Sequence, residues 1–398
     1  MAVVTFLALK LTFRTGAPDG EPTAAAGRLN EQSVDAAEWG KVFPVEYQGW
    51  RQGIPLPEFA EMQGHAFSLK EREETGRVRD ARWRRLYAGR PKERPQPAAC
   101  LHCHASVLPY YRAEGHGDVW NGFVLTSPRP FFEARRAVTQ PVGCLDCHEP
   151  GSMRLRAARP AFVKARAPAR SYQELRSHVC AQCHAEYYLA GAGRVVTYPW
   201  SKGLKVEEIE SYYDSIGFSD WTHAETGARV LKAQHPQFEM WSQGIHARSG
   251  VACADCHMPA ERRGAIYVTD HFVRSPLTNV GPACLRCHPG DAREAASRAA
   301  AIQTRTKQLL ARALDALLDL YGEVQRARLA GATDAQLDAA LKLQRRAQFR
   351  LDFVAEDGSQ GFHAAQESAR ILAEAIDYAR QGQLAACIID QTSRGGVR

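Results

Sequence analysis

Five times this sequence sets two cysteines three residues apart and follows the second with histidine: Cys100/Cys103/His104, Cys144/Cys147/His148, Cys180/Cys183/His184, Cys253/Cys256/His257 and Cys284/Cys287/His288. Two thiols at that spacing can add to the vinyl groups of one haem while the adjoining imidazole takes its iron. The five boxes predict five covalently bound haem c groups and use ten of the eleven cysteines, leaving Cys387 over. A disulfide scaffold does not place histidine after every Cys-x-x-Cys, and half a zinc site does not recur in this way. Haem c is attached on the outer side of the bacterial inner membrane, so the chemistry itself implies export to the periplasm.

The rest of the chain must position these groups. With 398 residues, 45% hydrophobic and 24% charged, it is long enough for one large core or two domains. The formal charge of +7 would suit nucleic acid, but many arginines lie among the boxes, where haem propionates need cationic partners, so no nucleic-acid role is expected. Residues 1–34 form an N-terminal segment. Its apolar run 2–13 is too short for a bilayer span, is broken by Lys10 and lacks a basic start, with small residues near Ala24 and Ala26. It reads equally as a signal or anchor remnant and as a flexible lead. Residues 35–290 hold the boxes, and residues 291–398 are rich in alanine, leucine and arginine at helical spacing. There Leu310, Leu314, Leu317, Tyr321 and Val324 make one apolar stripe, Gly331 ends the helix, and Thr333 with Gln336 caps the next. The charged run 70–85 suits a solvated helix, and 205–220 an amphipathic helix followed by a turn.

Residues 232–257, KAQHPQFEMWSQGIHARSGVACADCH, carry more than a haem box needs. The KAQHP turn, the following GIH and the CADCHMP box, together with CHAEYY, RPAF and DHFVRSP elsewhere, resemble the ammonia-forming cytochrome c nitrite reductases, pentahaem periplasmic enzymes. The likeness runs over nearly the whole chain, from about Asp35 to near Gln383. It implies a mainly α, compact multihaem cytochrome c fold with little β structure and long C-terminal helices that make a homodimer.

The resemblance also implies roles. His65, His271, His246 and His363 match the distal ligands of the third, second, fifth and fourth haems, which would leave the haem of His104 with an open position. Many family members carry lysine where His104 stands; others have histidine. Tyr187 and His235 match catalytic residues. Arg84 fits the active-site arginine, with Arg82 and Arg85 as alternatives. Glu186, the carbonyls of Tyr187 and Lys232, and the Gln234 side chain match a Ca²⁺ site, all hard oxygens. His102, His116, His178 and His223 are left as surface or supporting residues, and Cys387 as a buried apolar one.

The activity so implied is six-electron reduction of nitrite to ammonium, with His235 supplying protons, Arg84 holding the anion and Tyr187 completing the pocket. Electrons would come from a membrane-bound or soluble multihaem donor, which could keep the protein associated with the membrane. Two other readings stand beside it. One is a multihaem oxidoreductase acting on hydroxylamine or a sulfur oxyanion, favoured by His104. The other is an electron-transfer cytochrome with every haem saturated, which would need a tenth ligand such as His116 or His235.

Overall fold

A computed structural model describes residues 26–55, 62–69, 81–90, 96–166, 168–264 and 266–395. The apolar run at 2–13 and most of the charged run at 70–85 lie outside them. The chain is mainly α, 57% helix and 6% strand, as the sequence implies. The strands are local: four two-stranded antiparallel ribbons among the described residues, of which Tyr188–Ala190 with Val195–Thr197 follows the third box directly.

The boxes share one local conformation. The backbone N–H of His148, His184 and His288 each donates to the carbonyl of the first cysteine of its own box, at 2.9, 2.9 and 3.0 Å. One helical turn closed in this way puts residues i, i+3 and i+4 on the same face, so both thiols and the imidazole point the same way. The third box ends helix α1, Tyr172–Ala181. Helix α2, Val206–Ser215, is the amphipathic helix read from the sequence, and α3, Gln237–Ser242, follows the KAQHP turn.

Beyond the fifth box the chain forms three long helices, α4 (Ala292–Leu329), α5 (Asp334–Glu356) and α6 (Ala365–Gly395). Asp291 caps α4 by accepting the Glu294 N–H at 2.8 Å. Gly331 ends it at φ 93°, a conformation glycine adopts without strain. Thr333 and Gln336 then make a reciprocal capping box at the start of α5. Leu314, Leu317, Tyr321 and Val324 are buried, together with Leu320, against Ala340, Leu351, Ile371, Leu372 and Ala375 of the other two helices. The stripe is therefore interior core. Cys387 is half-buried rather than buried.

Helix α5 also carries polar fasteners. Arg350, almost inaccessible, pairs with Glu210 of α2 at 2.9 Å and Glu374 of α6 at 2.8 Å. Gln348 donates to the Leu86 carbonyl at 2.8 Å, and Asp352 accepts the Ala233 N–H at 3.0 Å. Residues 81–90, α2 and the KAQHP turn are thus attached to the same helix. No helix among the described residues is long and apolar enough to cross a membrane.

Leu317→Ala should lower stability by about 2–5 kcal/mol through lost burial and the cavity left behind. Leu329→Ala, at a side chain 90% exposed, should change it by less than about 0.5 kcal/mol. Removing the cap with Thr333→Ala should cost about 1 kcal/mol. Denaturant unfolding of the haem-loaded variants against the parent protein measures all three.

Candidate active site

Each of four box histidines faces a histidine from a distant part of the chain. The ring centroids of His65 and His184 are 6.4 Å apart, those of His148 and His271 6.3 Å, His246 and His288 6.1 Å, and His257 and His363 6.3 Å. An imidazole nitrogen sits about 2 Å from a bound metal, so two imidazoles on opposite sides of one ion have centroids roughly 6 Å apart. The four pairs therefore fit haem irons held between two histidines.

The boxes are alike in sequence but not in surroundings. The cysteines of the first four boxes are half-buried, whereas in the fifth Cys284 is half-buried and Cys287 is exposed. Equivalent spacing suggests equivalent shelter, and Cys287 departs from it. The reason is its place in the chain: residues 286–290 all lie at the surface, where the polypeptide leaves the box and Gly290, at φ 126°, turns it into α4. Cys287 is thus assigned to a haem by its box spacing and by the facing of His288 and His246, and burial adds nothing to that assignment.

The outer ring nitrogens of four of these histidines have fixed partners. Nδ1 of His148 donates to the Met153 carbonyl at 2.9 Å, that of His257 to Arg274 at 2.9 Å and that of His271 to Thr269 at 2.8 Å. His363 Nδ1 donates instead to a carboxylate, Asp357 Oδ1, at 2.6 Å. A proton held on Nδ1 leaves Nε2 with its lone pair available to a metal. Burial lowers His184 to about 3 and His148 to about 4, and it lowers His65, His246 and His257 as well. These rings are held neutral, the form that binds metal. Burial presses on His363 too, but the Asp357 carboxylate outweighs it and the group is raised. His363 lies in the turn before α6, not just inside it, because Gly358, Gln360 and Gly361 at φ 73°, 56° and 88° turn the backbone out of the helix.

The third box is the junction. Cys103 lies beside Cys183, and Cys180 beside Cys253. Residues between the cysteines tie the boxes together. Gln182 of the third box donates to the Asp146 carbonyl of the second at 3.0 Å and accepts the Arg159 N–H at 2.9 Å. Arg159 of the RPAF segment is fully buried beside Asp146, 3.2 Å away, and donates to the carbonyl of Ala105 next to the first box at 2.7 Å. Asp255 of the fourth box pairs with Arg176 of α1. Sequence reading passed over Asp146 and Asp255, although an acid inside a box, with arginines nearby, was the available signal.

His104 is gripped by Ser68: its Nδ1 lies 3.2 Å from the Ser68 carbonyl, and the Ser68 hydroxyl donates to the His104 carbonyl at 2.7 Å. Both His104 and His235 lie close enough to His184 to lower it further. His235 is exposed, with its ring 6.3 Å from that of half-buried Tyr187 and only 22° from parallel. One contact explains the pairing: the Gln234 N–H donates to Glu186 Oε2 at 2.6 Å. The residue after each member of that contact is His235 or Tyr187, so the clamp sets the two side by side. From behind, the buried Lys232 ammonium reaches Asp352 at 2.9 Å and Glu356 at 3.1 Å, and the Lys232 N–H donates to Asp220 at 2.8 Å.

Glu186 is fully buried, and its other oxygen accepts the Tyr213 hydroxyl at 3.0 Å. Burial pushes its carboxyl well above the usual range, against the pull of the Gln234 N–H. Next to it Glu239, pushed up to about 7 by burial, has one carboxylate oxygen with no hydrogen-bond partner among the described residues. Two buried acids served by neutral donors, beside a lysine already engaged elsewhere, suit a hard cation. No three or more His, Cys, Asp or Glu side chains cluster as a metal site among the described residues. Of the four residues matched to a calcium site, Glu186 and Gln234 are in direct contact, and Tyr187 and Lys232 lie within two residues of them in the chain.

Of the three candidate arginines, Arg82 pairs with Asp315 and Arg85 with Glu225 at 2.6 Å. Arg84 is exposed and has no carboxylate partner among the described residues. Among the unassigned histidines only His116 is at the surface, on a turn at φ 53°. His102 packs 4.6 Å from Phe123 in the core, His178 lies against Phe162, and His223 bonds the Arg85 carbonyl at 2.7 Å. They are buried because each fills an aromatic or backbone niche that sequence spacing does not reveal.

Glu186→Gln should weaken calcium binding by about tenfold or more, since the site loses its one formal charge. Chelation should lower the unfolding temperature of the parent protein and leave that of the variant nearly unchanged, with five haems retained in both.

Residues 56–395 match the family model for cytochrome c552. A cytochrome c-552 of Parabacteroides distasonis is 37% identical over 364 residues, 89% of this chain and 70% of that protein. One from Bacteroides fragilis strain YCH46 is 40% identical over 305 residues, 74% of this chain and 60% of that protein, so the matched part of the chain spans only some three fifths of that relative's length. The fold is similar to that of a cytochrome c nitrite reductase from Desulfovibrio desulfuricans ATCC 27774, a catalytic subunit with two calcium sites, at a TM-score of 0.76 and 22% identity, over 89% of this chain and 86% of that one.

Proposed function

The chain belongs to the cytochrome c552 family, and from that membership we propose that it reduces nitrite to ammonium in the periplasm, at the haem of the first box. The observation that carries this reading is the Glu186–Gln234 clamp, which sets Tyr187 and His235 together beside the first and third boxes. A protein that only conducts electrons has no use for such an arrangement.

In this reading His65/His184, His148/His271, His246/His288 and His257/His363 hold the irons of the third, second, fifth and fourth haems. His104 holds that of the first, aimed by Ser68. The first haem, held by Cys100, Cys103 and His104, would supply a redox-active iron for the reduction of nitrite. The residues around it manage charge and protons. Nitrite gives ammonium and two waters by gaining six electrons and eight protons, so both oxygens must be protonated as they leave. His235 is an exposed imidazole that can donate repeatedly and be refilled from solvent. Tyr187, parallel to it, offers a hydroxyl to the same side and keeps the ring in place. Arg84 holds the anion through its fixed fork of donors. Calcium on Glu186, Tyr187, Lys232 and Gln234 stiffens the clamp and adds positive charge near the anion.

Electrons arrive from a membrane-bound or soluble multihaem donor, and two copies of the chain associate through the C-terminal helices. His104 supports a second reading, in which hydroxylamine or a sulfur oxyanion is the better substrate, because axial ligand identity tunes the iron.

Reductant-driven turnover of the five-haem protein should yield ammonium in proportion to nitrite lost, without released hydroxylamine. Faster turnover of hydroxylamine or sulfite, with little loss of nitrite, would favour the second reading. His235→Asn should lower nitrite turnover by about a hundredfold or more with haem content intact; full activity would remove His235 from the reaction. Arg84→Ala should raise KM for nitrite more than it lowers kcat. An unchanged KM would pass the anion-holding role to Arg82 or Arg85.

A further inference from the structure

The histidine pairs differ in what their outer nitrogens bond. His148, His257 and His271 donate to backbone carbonyls, of Met153, Arg274 and Thr269, and His104 also faces a carbonyl, that of Ser68. His363 alone among the described histidine pairs donates Nδ1–H to a carboxylate, Asp357 Oδ1 at 2.6 Å. The contact is built into the fold. Asp357 caps the end of α5 and is buried, 1% accessible. Its second oxygen accepts the Ser359 hydroxyl, and Ser359 Oγ accepts the His363 N–H at 3.1 Å. Gly361 lies so close to Thr306 that an added Cβ would stand 2.2 Å from its hydroxyl oxygen, and a Cβ on Gly244 would stand 2.0 Å from the His363 carbonyl. The loop has little room to take another path.

A carboxylate acceptor draws the Nδ1 proton and puts electron density into the ring, making Nε2 a stronger donor to its metal than an imidazole bonded to a neutral carbonyl. A stronger donor stabilises the oxidised iron over the reduced one, and such outer hydrogen bonds are among the levers that set haem potentials. We propose that Asp357 is a tuning residue that makes the haem held by His257 and His363 the hardest to reduce of the four two-histidine haems. The proposal rests on the histidine pairing given above. Its consequence is directional. The fourth box adjoins the third through Cys253 and Cys180, so an electron on the fourth haem passes readily to the third, one centre oxidised as the other is reduced, with no proton or further reactant. The fourth haem would then relay electrons inward rather than store them.

The test is potentiometric titration of the five-haem protein, following optical and EPR signals of each haem. Asp357→Asn replaces the carboxylate by a neutral acceptor and should move the lowest midpoint potential upward while the other low-spin haems stay in place. Ser359→Ala removes a donor that tempers the carboxylate and should move the same potential downward. A merely structural role would not give opposite shifts at one haem. If neither variant shifts it, or both shift it in the same direction, the proposal is overturned, and the second variant decides the matter should the first fail to mature. His363→Ala separates the underlying pairing from the tuning. One additional high-spin haem supports the pairing, whereas an unchanged low-spin spectrum removes the pairing and the tuning with it.

Discussion

The separation of about 6 Å between facing imidazoles is the constraint on which the rest of this structure depends. A haem iron between two histidines tolerates little error in that distance, because the metal–nitrogen bonds are short and directional. One member of each pair is fixed locally, by the helical turn of its box. The other comes from far along the chain: from the short turn at His65, from the residues just after α3, from the end of the Ala260–Arg263/Ile266–Thr269 ribbon, and from the turn between α5 and α6. Each long-range closure has to be held by something other than the metal, and much of the remaining architecture does this.

Helix α5 is the main support. It is packed into the three-helix core through Leu337, Ala340, Ala347 and Leu351, and its polar residues reach outward to the site. Asp352 takes the Lys232 ammonium and the Ala233 N–H, so the turn carrying His235 is anchored by an ion pair and a backbone hydrogen bond at once. Breaking one side of such a buried pair leaves an uncompensated charge, which costs more than the intact pair contributes. Asp357 at the end of the same helix orients His363. The C-terminal helices thus position two parts of the haem array although they contain no haem box.

The clamp between Glu186 and Gln234 has the opposite character, being polar, partly buried and served directly only by neutral donors. Its carboxyl is unfavourable to ionise as it stands, and Glu239 beside it adds a second oxygen seeking a donor. A cation would satisfy both needs and fix the residues on which Tyr187 and His235 depend. Local strain or unmet polarity of this kind is what separates a functional site from a well-satisfied core.

Much of this was legible in the amino-acid order. The five boxes, the stop at Gly331, the Thr333–Gln336 cap and the apolar stripe through Leu317 and Tyr321 are local patterns within one or two helical turns, where residue spacing dictates geometry. The family resemblance added candidate partners for the box histidines, but spacing by itself could not have paired them. Tertiary structure decided which acceptor each Nδ1 meets, that Gln234 touches Glu186, that Asp146 and Asp255 tie boxes together, that Cys287 stands at the surface while the other box cysteines are half-buried, and that His102, His178 and His223 belong to the core. These depend on contacts between segments far apart in the chain. Their partners are chosen by how the helices pack and where the loops close, and no periodicity in the sequence records that choice.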